Sequence, residues 1–125
     1  MKSPGTTPSD LIYVIDGGGS AIETGEKGHL RVTSRLKIKE VAMLADQTGS
    51  IVVDIWKSSY PNFPPADENS ITASTPPTIS SSYKSRDISL EGWTKDLAAG
   101  DILAFNVDSC TTITRVTINI RAEKG

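Results

Sequence analysis

The feature that most constrains this chain is a two-residue alternation of apolar and polar side chains in several short segments. In the last of them, Val116, Ile118 and Ile120 alternate with threonine and asparagine and are flanked by arginines. Side chains of a β-strand point alternately to the two faces of a sheet, so such a segment buries one face and exposes the other. The same pattern occurs in residues 30–38 and 51–56. The alternation predicts a chain built mainly of β-strands.

Other segments carry the same signal. Residues 11–15 (LIYVI) form a short apolar strand that a glycine-rich break ends, and residues 103–107 give a further strand face. The best helix candidate, residues 39–47, follows a strand without a capping residue, so a strand is favoured there. It ends at a predicted turn, residues 46–49 (DQTG). Strands separated by Gly, Asn and Asp turns indicate an all-β chain, an antiparallel β-sandwich of jelly-roll-like form.

Length and composition fit one domain with a short arm. The chain has 125 residues, and a domain of that size buries roughly two thirds of its unfolded surface. Residues 1–10 are small and polar, contain two prolines and have nothing to bury. We therefore expect an extended N-terminal arm over residues 1–10 and a β-sandwich domain over residues 11–125.

The middle of the chain, residues 58–85, is rich in serine, threonine and proline. It is either one long loop or a segment with short edge strands, and loops of this length usually bind something. Within it, Tyr60, Asn62 and Phe63 stand among three prolines, which makes them stiff candidates for contact with a ligand. The alternative is that the two rings cover the edge of the sandwich or a subunit seam and prevent edge-to-edge pairing.

Charge and hydropathy exclude several classes of partner. The net charge is −2, from 13 basic and 15 acidic residues, whereas a nucleic-acid-binding chain carries a basic stripe. The start of the chain has no apolar stretch after its lysine, so it does not predict a signal peptide. No apolar run approaches the roughly 20 residues that span a bilayer. We expect neither a nucleic-acid partner nor membrane insertion.

No motif predicts a reaction. Residues 17–27 (GGGSAIETGEK) have the wrong spacing for a phosphate loop, and their two glutamates would repel an anion. His29, the one histidine, lies on the polar side of its strand, without a nucleophile motif or a metal-binding spacing. Cys110 cannot form an internal disulfide and has no basic neighbour in the sequence to activate it. We expect no catalytic residue, no metal site and no cofactor, so the chain is not predicted to be an enzyme.

Trp56 stands out because its strand has a fully aliphatic opposite face. It shares its own face with Val52 and Asp54, so its ring lies on a surface that mixes apolar and polar side chains. A large aromatic ring in such a place often belongs to an oligomer contact or lies under a loop. We therefore expect Trp56 at a contact between subunits.

Several stretches resemble a domain common in bacteriophage and prophage tail-fibre-like proteins, which also occurs as trimeric cement or decoration proteins on phage capsids. The stretches are DGGGSAIETGEKG, SIVVDIW, YPNFPP, SITAS and, between residues 92 and 120, GW, LAAGDILAFNVDS and ITRVTINI. The resemblance covers roughly residues 16–121. It implies a β-sandwich protein of the virion that forms a homotrimer, and it brings no catalytic residues.

In fibres this domain usually follows a shaft and a tail adaptor, which this sequence lacks. We therefore expect a capsid cement (decoration) protein that stabilises the head, made in the host bacterial cytoplasm and carried on the capsid surface. Its expected partners are further copies of itself and the major capsid protein or other virion proteins. The expected contact residues are Lys2, Ser3, Pro4, Thr6, Thr7, Pro8 and Trp56. The alternative is a receptor-binding tail-fibre head at the tail tip that binds a host surface glycan.

Overall fold

The structure, a computed structural model, describes residues 7–124. In this range it consists of β-strands and one short 3-10 helix, with no α-helix. The elements are β1 (Leu11–Asp16), β2 (Gly25–Arg31), β3 (Leu36–Ser58), the 3-10 helix (Asp67–Asn69), β4 (Thr78–Asp87), β5 (Asp96–Leu97), β6 (Ile102–Thr111) and β7 (Arg115–Lys124). Each pairing of these strands is antiparallel. The predicted all-β, antiparallel fold is confirmed.

The central strand of the sheet is β3, which has 23 residues. Along one of its sides, the first half of β3 pairs with β7 and the second half pairs with β6. Residues 102–124 therefore run back along the whole of β3, with a short break at residues 112–114. β1 adds to the far side of β7, and β2 adds to the far side of β6. The other side of β3 pairs with β4 and β5.

The sheet folds on itself into two layers. We call them the β1–β7 layer, which includes the first half of β3, and the β2–β6 layer, which includes its second half. Tyr13 of β1 stacks on Phe105 of β6, with ring centroids 4.4 Å apart. The Tyr13 hydroxyl also donates a hydrogen bond to the carbonyl of Lys27 in β2, at 2.7 Å. These contacts join the two end strands of the sheet, so the sandwich approaches a closed barrel.

One core fills the space between the layers. Its largest contribution comes from the inward positions of β3 and β7: Ile38, Met43, Ile51, Val53, Ile55, Val116, Ile118 and Ile120, all fully buried. Trp93, in the connection before β5, is also buried, and its indole N–H donates to the Thr75 carbonyl at 2.9 Å. Burial of a large aliphatic side chain stabilises the fold by about 1.5–3 kcal/mol. The alternation read from the sequence thus identifies most of the core.

Residues 30–38 do not form the single strand that their alternation predicts. β2 ends at Arg31 and β3 begins at Leu36. Between them, the Val32 N–H donates to the Asp101 carbonyl and the Val32 carbonyl accepts from the Gly100 N–H, both at 2.7 Å. Val32 and Leu36 are both buried, so the apolar side chains keep their parity across the bend. This is why the pattern did not reveal the break.

The predicted turn at residues 46–49 is also wrong, because β3 continues through it. The break between β6 and β7 holds this segment extended. The Asp46 carboxylate accepts hydrogen bonds from the backbone N–H groups of Thr114 and Arg115, at 3.2 and 3.1 Å. The Thr114 hydroxyl also donates to this carboxylate and is the main reason why the Asp46 pKa lies below its ordinary value. These bonds connect residues 68 or 69 positions apart, so no local pattern reveals them.

The middle of the chain combines the two arrangements that the sequence left open. Residues 59–77 form a long connection that contains the 3-10 helix, and residues 78–87 form β4. Residues near the end of the connection extend the pairing of β3 beyond β4. The Ile71 N–H donates to the Ile55 carbonyl at 2.9 Å, and the Val53 N–H donates to the Pro77 carbonyl at 3.0 Å. The connection is therefore attached to the sheet at its C-terminal end.

Candidate functional site

A buried carboxylate fixes the long connection to the sheet. The Asp54 side chain, on β3, is 8% exposed. One of its oxygens accepts hydrogen bonds from the hydroxyls of Ser70 and Thr72 at 2.7 and 2.6 Å, and from the Ile55 N–H at 2.8 Å. Its other oxygen accepts from the indole N–H of Trp56 at 3.1 Å. Hydrogen bonds to an ionised group are among the stronger ones in proteins, so this cluster holds residues 70–72 in place.

The two aromatic residues predicted to make contacts lie over β2. Backbone hydrogen bonds from Asn62 to Ser59 and from Phe63 to Tyr60, both at 3.2 Å, form a tight turn. Tyr60 is 68% exposed and Phe63 is 44% exposed. Pro65, which follows them, is buried. The turn therefore presents both rings to solvent on a backbone that is anchored at its end.

Two polar side chains of β2 meet these rings. The Arg31 guanidinium lies over the Tyr60 ring, 5.8 Å from its centroid. The His29 ring packs edge-on against Phe63, with centroids 4.7 Å apart. Side chains two residues apart on a strand share a face, which brings His29 and Arg31 to the same surface. We call His29, Arg31, Tyr60 and Phe63 the aromatic–basic patch.

A second exposed surface lies on the outside of the β1–β7 layer. Ile12, Val14 and Leu44 are 57%, 50% and 55% exposed. The strand register places Val14 of β1, Thr117 of β7 and Leu44 of β3 in one row, next to a row formed by Ile12, Asn119 and Ala42. We call Ile12, Val14, Ala42 and Leu44 the outer apolar face. These apolar side chains come from β1 and β3, and Thr117 and Asn119 of β7 lie between them. Exposed apolar side chains grouped on one face of a sheet are a common mark of a contact surface.

Acidic and basic side chains both lie beside the outer apolar face. Glu40 is 3.8 Å from Arg121 and also 3.8 Å from Arg86, on the strands that flank it. The amide nitrogen of Asn119, between Ile12 and Ala42, is buried and has no hydrogen-bond partner among residues 7–124. A buried amide without a partner costs about 1–3 kcal/mol. The face thus combines apolar side chains with an unsatisfied polar group.

Part of the predicted arm can be located. The Ser9 N–H donates to the Ala122 carbonyl at 2.8 Å, and the Lys124 N–H donates to the Thr7 carbonyl at 3.0 Å. Pro8 lies opposite Glu123 in an isolated bridge. Thr7 and Pro8 therefore continue the line of β1 along β7 of the same chain. Four other predicted contact residues lie outside the described residues: Lys2, Ser3, Pro4 and Thr6.

Trp56 is half-buried and partnered within its own chain. Its indole N–H binds Asp54, and its backbone forms an isolated bridge with Ser70. The predicted parity is confirmed, because Ile55 points into the core while Trp56 points away from it. A contact between Trp56 and another subunit stays a prediction. Asn62, the third residue predicted in the loop, is exposed in the turn between Tyr60 and Phe63.

Residues that could support chemistry are dispersed. Cys110 is half-buried in β6, and its thiol donates to the Ile113 carbonyl at 3.4 Å. Burial raises the pKa of this thiol, which disfavours the reactive thiolate. His29 is 3.9 Å from Glu26 and has no hydroxyl or thiol partner among the hydrogen bonds of residues 7–124. Within the same residues, no three His, Cys, Asp or Glu side chains converge in a way that would hold a metal ion.

The part of the chain that the structure describes contains no helix with both the length and the hydrophobicity of a membrane span.

Sequence reasoning missed Arg31, His29 and the outer apolar face. Nothing in the local sequence connects β2 with residues 59–63, because the contact depends on the path of the long connection. The outer apolar face did leave a signal. Residues 11–15 are all apolar, so a strand at the edge of a sandwich must expose some of them. Ile12 and Val14 are those residues.

Comparisons with known proteins give no family assignment. No family model matches the chain, and no curated protein matches it. Among solved structures, a chain from the capsid of Ralstonia phage GP4 is similar, with a TM-score of 0.44 and 10% sequence identity. The alignment covers 99% of this chain and 87% of that chain.

Proposed function

We propose that this protein is a structural component of a bacteriophage particle, a homotrimeric capsid cement (decoration) protein that stabilises the head from its outer surface. The sequence stretches over residues 16–121 that resemble such proteins support this proposal, and so does the antiparallel two-layer fold. A structural role also agrees with the scattered positions of His29 and Cys110 and with the raised pKa of the Cys110 thiol.

The observation that carries the proposal is the outer apolar face. Ile12, Val14 and Leu44 are each at least half exposed, although they stand in register on a sheet. In a monomer they would remain in contact with water. Packing against another copy of the chain would bury them, and each large side chain then contributes about 1.5–3 kcal/mol. We therefore assign the seam between subunits to this face.

A second copy is the occupant we favour, because the charges around the face suit a surface of the same kind. Arg86 and Arg121 both reach the single carboxylate Glu40. This side of the face, which we call its rim, therefore carries a net positive charge. The exposed carboxylates of Asp10, just before β1, and Asp16, at the end of β1, lie along the β1 edge of the face. The rim of one copy can therefore pair with the opposite edge of the next, as head-to-tail contacts in a closed ring require.

The capsid contact is assigned to the N-terminal arm. Thr7 and Pro8, the first described residues of the arm, lie beside the C-terminal end of β7. A short polar segment of this kind binds by adding backbone hydrogen bonds to a partner. In the assembled particle the arm would thus connect the trimer to the major capsid protein.

Light scattering coupled to size-exclusion chromatography tests the trimer and its seam. We expect three chain masses at tens of micromolar for the natural protein and one chain mass for Leu44→Lys. Leu44 is 55% exposed, so the change should cost the isolated chain less than about 0.5 kcal/mol. Phe63→Lys changes a partly exposed ring of the long connection, over β2; it is the control and should remain trimeric. A natural protein that stays monomeric would refute the trimer, and a trimeric Leu44→Lys would refute the seam.

A second candidate function is favoured by the aromatic–basic patch. In this case the domain is the receptor-binding head of a tail fibre and binds a host surface glycan. Tyr60 and Phe63 present two ring faces to solvent on an anchored turn. Rigid, exposed aromatic rings are low-entropy contact residues. Binding of a soluble host glycan to the purified domain, lost in Tyr60→Ala and Phe63→Ala, would support this function over the cement function.

A further inference from the structure

We propose that the aromatic–basic patch binds a sugar that carries a carboxylate, such as a uronic acid unit of a surface polysaccharide. This inference rests on the second candidate function and specifies its ligand class. The pyranose ring would lie against Tyr60 and Phe63, and the carboxylate would pair with the Arg31 guanidinium. Both rings are exposed, no carboxylate of residues 7–124 lies within 4 Å of the Arg31 guanidinium, and Glu26 contacts His29.

The rings provide the apolar part of the site. One face of a pyranose presents mainly C–H groups, which pack against the electron-rich face of an aromatic ring. Tyr60 and Phe63 are 68% and 44% exposed and are three residues apart in one tight turn. Two rings at fixed positions can hold one or two sugar units with little loss of side-chain entropy.

Arg31 provides the charge. Its guanidinium carbon lies over the Tyr60 ring, 5.8 Å from the centroid, within the distance at which a cation is attracted to a ring face. Among residues 7–124, no carboxylate oxygen lies within 4 Å of Arg31. The guanidinium fork matches the two oxygens of a carboxylate, and such bidentate pairs are stronger than neutral hydrogen bonds.

Glu26, the carboxylate that contacts the patch, lies at His29 and not at Arg31. One of its oxygens is 3.9 Å from the His29 ring nitrogen, and the other accepts the backbone N–H of Gly28. Glu26 therefore faces the His29 side of the patch. A bound carboxylate at the Arg31 side would be separated from it by the His29 and Phe63 rings, which pack against each other. This arrangement leaves one end of the patch cationic.

The proposal is tested with two sugars that differ only at C6, which is a carboxylate in one and a hydroxymethyl group in the other. Methyl glucuronide and methyl glucoside are titrated separately into the ¹⁵N-labelled protein, and amide shifts are followed by NMR at neutral pH and low salt. We expect the glucuronide to bind at least tenfold more tightly, with a dissociation constant on the order of 1 mM, and to shift amides of β2 and of residues 59–63. Added salt should weaken the glucuronide but not the glucoside.

Variants separate the two parts of the site. Arg31→Gln should abolish the tenfold preference and leave equal, weak binding of both sugars. Tyr60→Ala should weaken both sugars. Tyr83→Ala removes a ring of similar exposure, 58%, from β4 and should change neither affinity.

Equal affinities for the two sugars in the natural protein would overturn the inference but leave a glycan-binding head intact. Shifts confined to other surfaces would overturn it as well. If neither sugar binds at tens of millimolar, the inference fails and the second candidate function loses its support, whereas the cement function is unaffected.

Discussion

The ring of Tyr13 in β1 lies parallel to the ring of Phe105 in β6, with centroids 4.4 Å apart and planes within 6°. The same Tyr13 donates its hydroxyl to the Lys27 carbonyl of β2. One side chain of β1 thus contacts both β6 and β2, the two strands of the opposite layer. Burial, assisted by the negative charge of Glu26, raises the pKa of this phenol, which keeps it protonated and able to donate.

Gly28 is the residue that admits Tyr13 to this position. Its φ is +122°, and a Cβ at this site would collide with the Tyr13 hydroxyl oxygen. Gly28→Ala should therefore lower the free energy of unfolding by about 2 kcal/mol or more, from backbone strain and from displacement of the ring. The measurement is urea denaturation of the natural protein and the variant.

A double-mutant cycle separates the strain from the collision. Gly28→Ala combined with Tyr13→Phe should be less destabilised than the sum of the two single changes, because the hydroxyl is then absent. Gly18→Ala is the matched control, since Gly18 also has a positive φ, +72°, but open space around it. Strictly additive effects in the cycle would show that Gly28 and Tyr13 do not interact in this way.

Asp54 should determine how firmly residues 59–77 are held. Asp54→Ala removes the acceptor for the Ser70 and Thr72 hydroxyls and for the Trp56 indole. We expect a loss of about 2–4 kcal/mol in unfolding free energy, because several buried donors lose their partner at once. The substitution should also accelerate amide hydrogen exchange more in residues 70–72 than in β7.

Asp108 provides the control for Asp54. Its pKa is raised, first by burial and then by the nearby charges of Asp54 and Asp67. Asp108→Asn removes an ionised group that its surroundings disfavour and should leave stability unchanged or slightly higher. An Asp54→Ala variant as stable as Asp108→Asn would contradict the assigned role of the cluster.

Asp87 should make stability depend on pH in the acid range. Its carboxylate accepts hydrogen bonds from the backbone N–H groups of Leu90 and Ser89, both at 3.0 Å. The bond from Leu90 is the main reason why the Asp87 pKa lies below its ordinary value of 3.8. A lowered pKa means that the unfolded chain binds more protons. The stabilisation is therefore complete above pH 3.8 and is lost as the pH falls through the folded-state pKa.

Thermal unfolding between pH 2 and pH 7 measures this effect. Asp87→Asn should lower the melting temperature at neutral pH and should flatten its decrease toward acid pH. Glu91→Gln, in the same connection, should reproduce the natural profile, because the Glu91 side chain makes no hydrogen bond among residues 7–124. If the melting temperature of Asp87→Asn falls toward acid pH as steeply as that of the natural protein, other carboxylates cause the decrease.

Residues 1–6 should be needed for binding to the capsid but not for folding. Deletion of residues 1–6 should leave a folded protein, because the hydrogen bonds of Thr7 and Ser9 to β7 remain. The shortened chain should no longer bind phage heads from which the native protein has been stripped. Sedimentation of heads with the added protein measures this, with the full chain as the reference. Equal binding of both proteins would place the anchor elsewhere on the sandwich.

The fold could be predicted from the sequence where local pattern and tertiary packing agree. The alternation of β7 placed Val116, Ile118 and Ile120 in the core correctly. The alternation in residues 30–38 did not reveal the break at residues 32–35, and the DQTG signal predicted a turn at residues 46–49, where β3 continues. Bonds to Asp101 and Thr114, distant in sequence, decide the backbone path at these two places. Proline and glycine signals mark positions where a chain can turn, but only the partner strand decides whether it does.

The candidate surfaces were accessible to sequence reasoning only in part. Tyr60 and Phe63 were candidates for contact either with a ligand or with a sandwich edge, and both rings are exposed in this chain. Their partners Arg31 and His29 could not be identified, because they belong to a strand about 30 positions earlier. The burial of Asp54 could not be predicted from the sequence either. Its polar parity predicts a solvated carboxylate, whereas the connection that folds beside β3 supplies hydroxyl donors to it.

The central claim, that this protein covers the head of a phage particle, is tested most directly by its location. Purified particles of any phage whose genome encodes this chain would be labelled with gold-conjugated antibodies against it and imaged by electron microscopy. The cement function predicts dense, uniform label over the head and none at the tail. Label at the tail tip alone would support the receptor-binding head instead, and intact particles without label would contradict a virion role altogether.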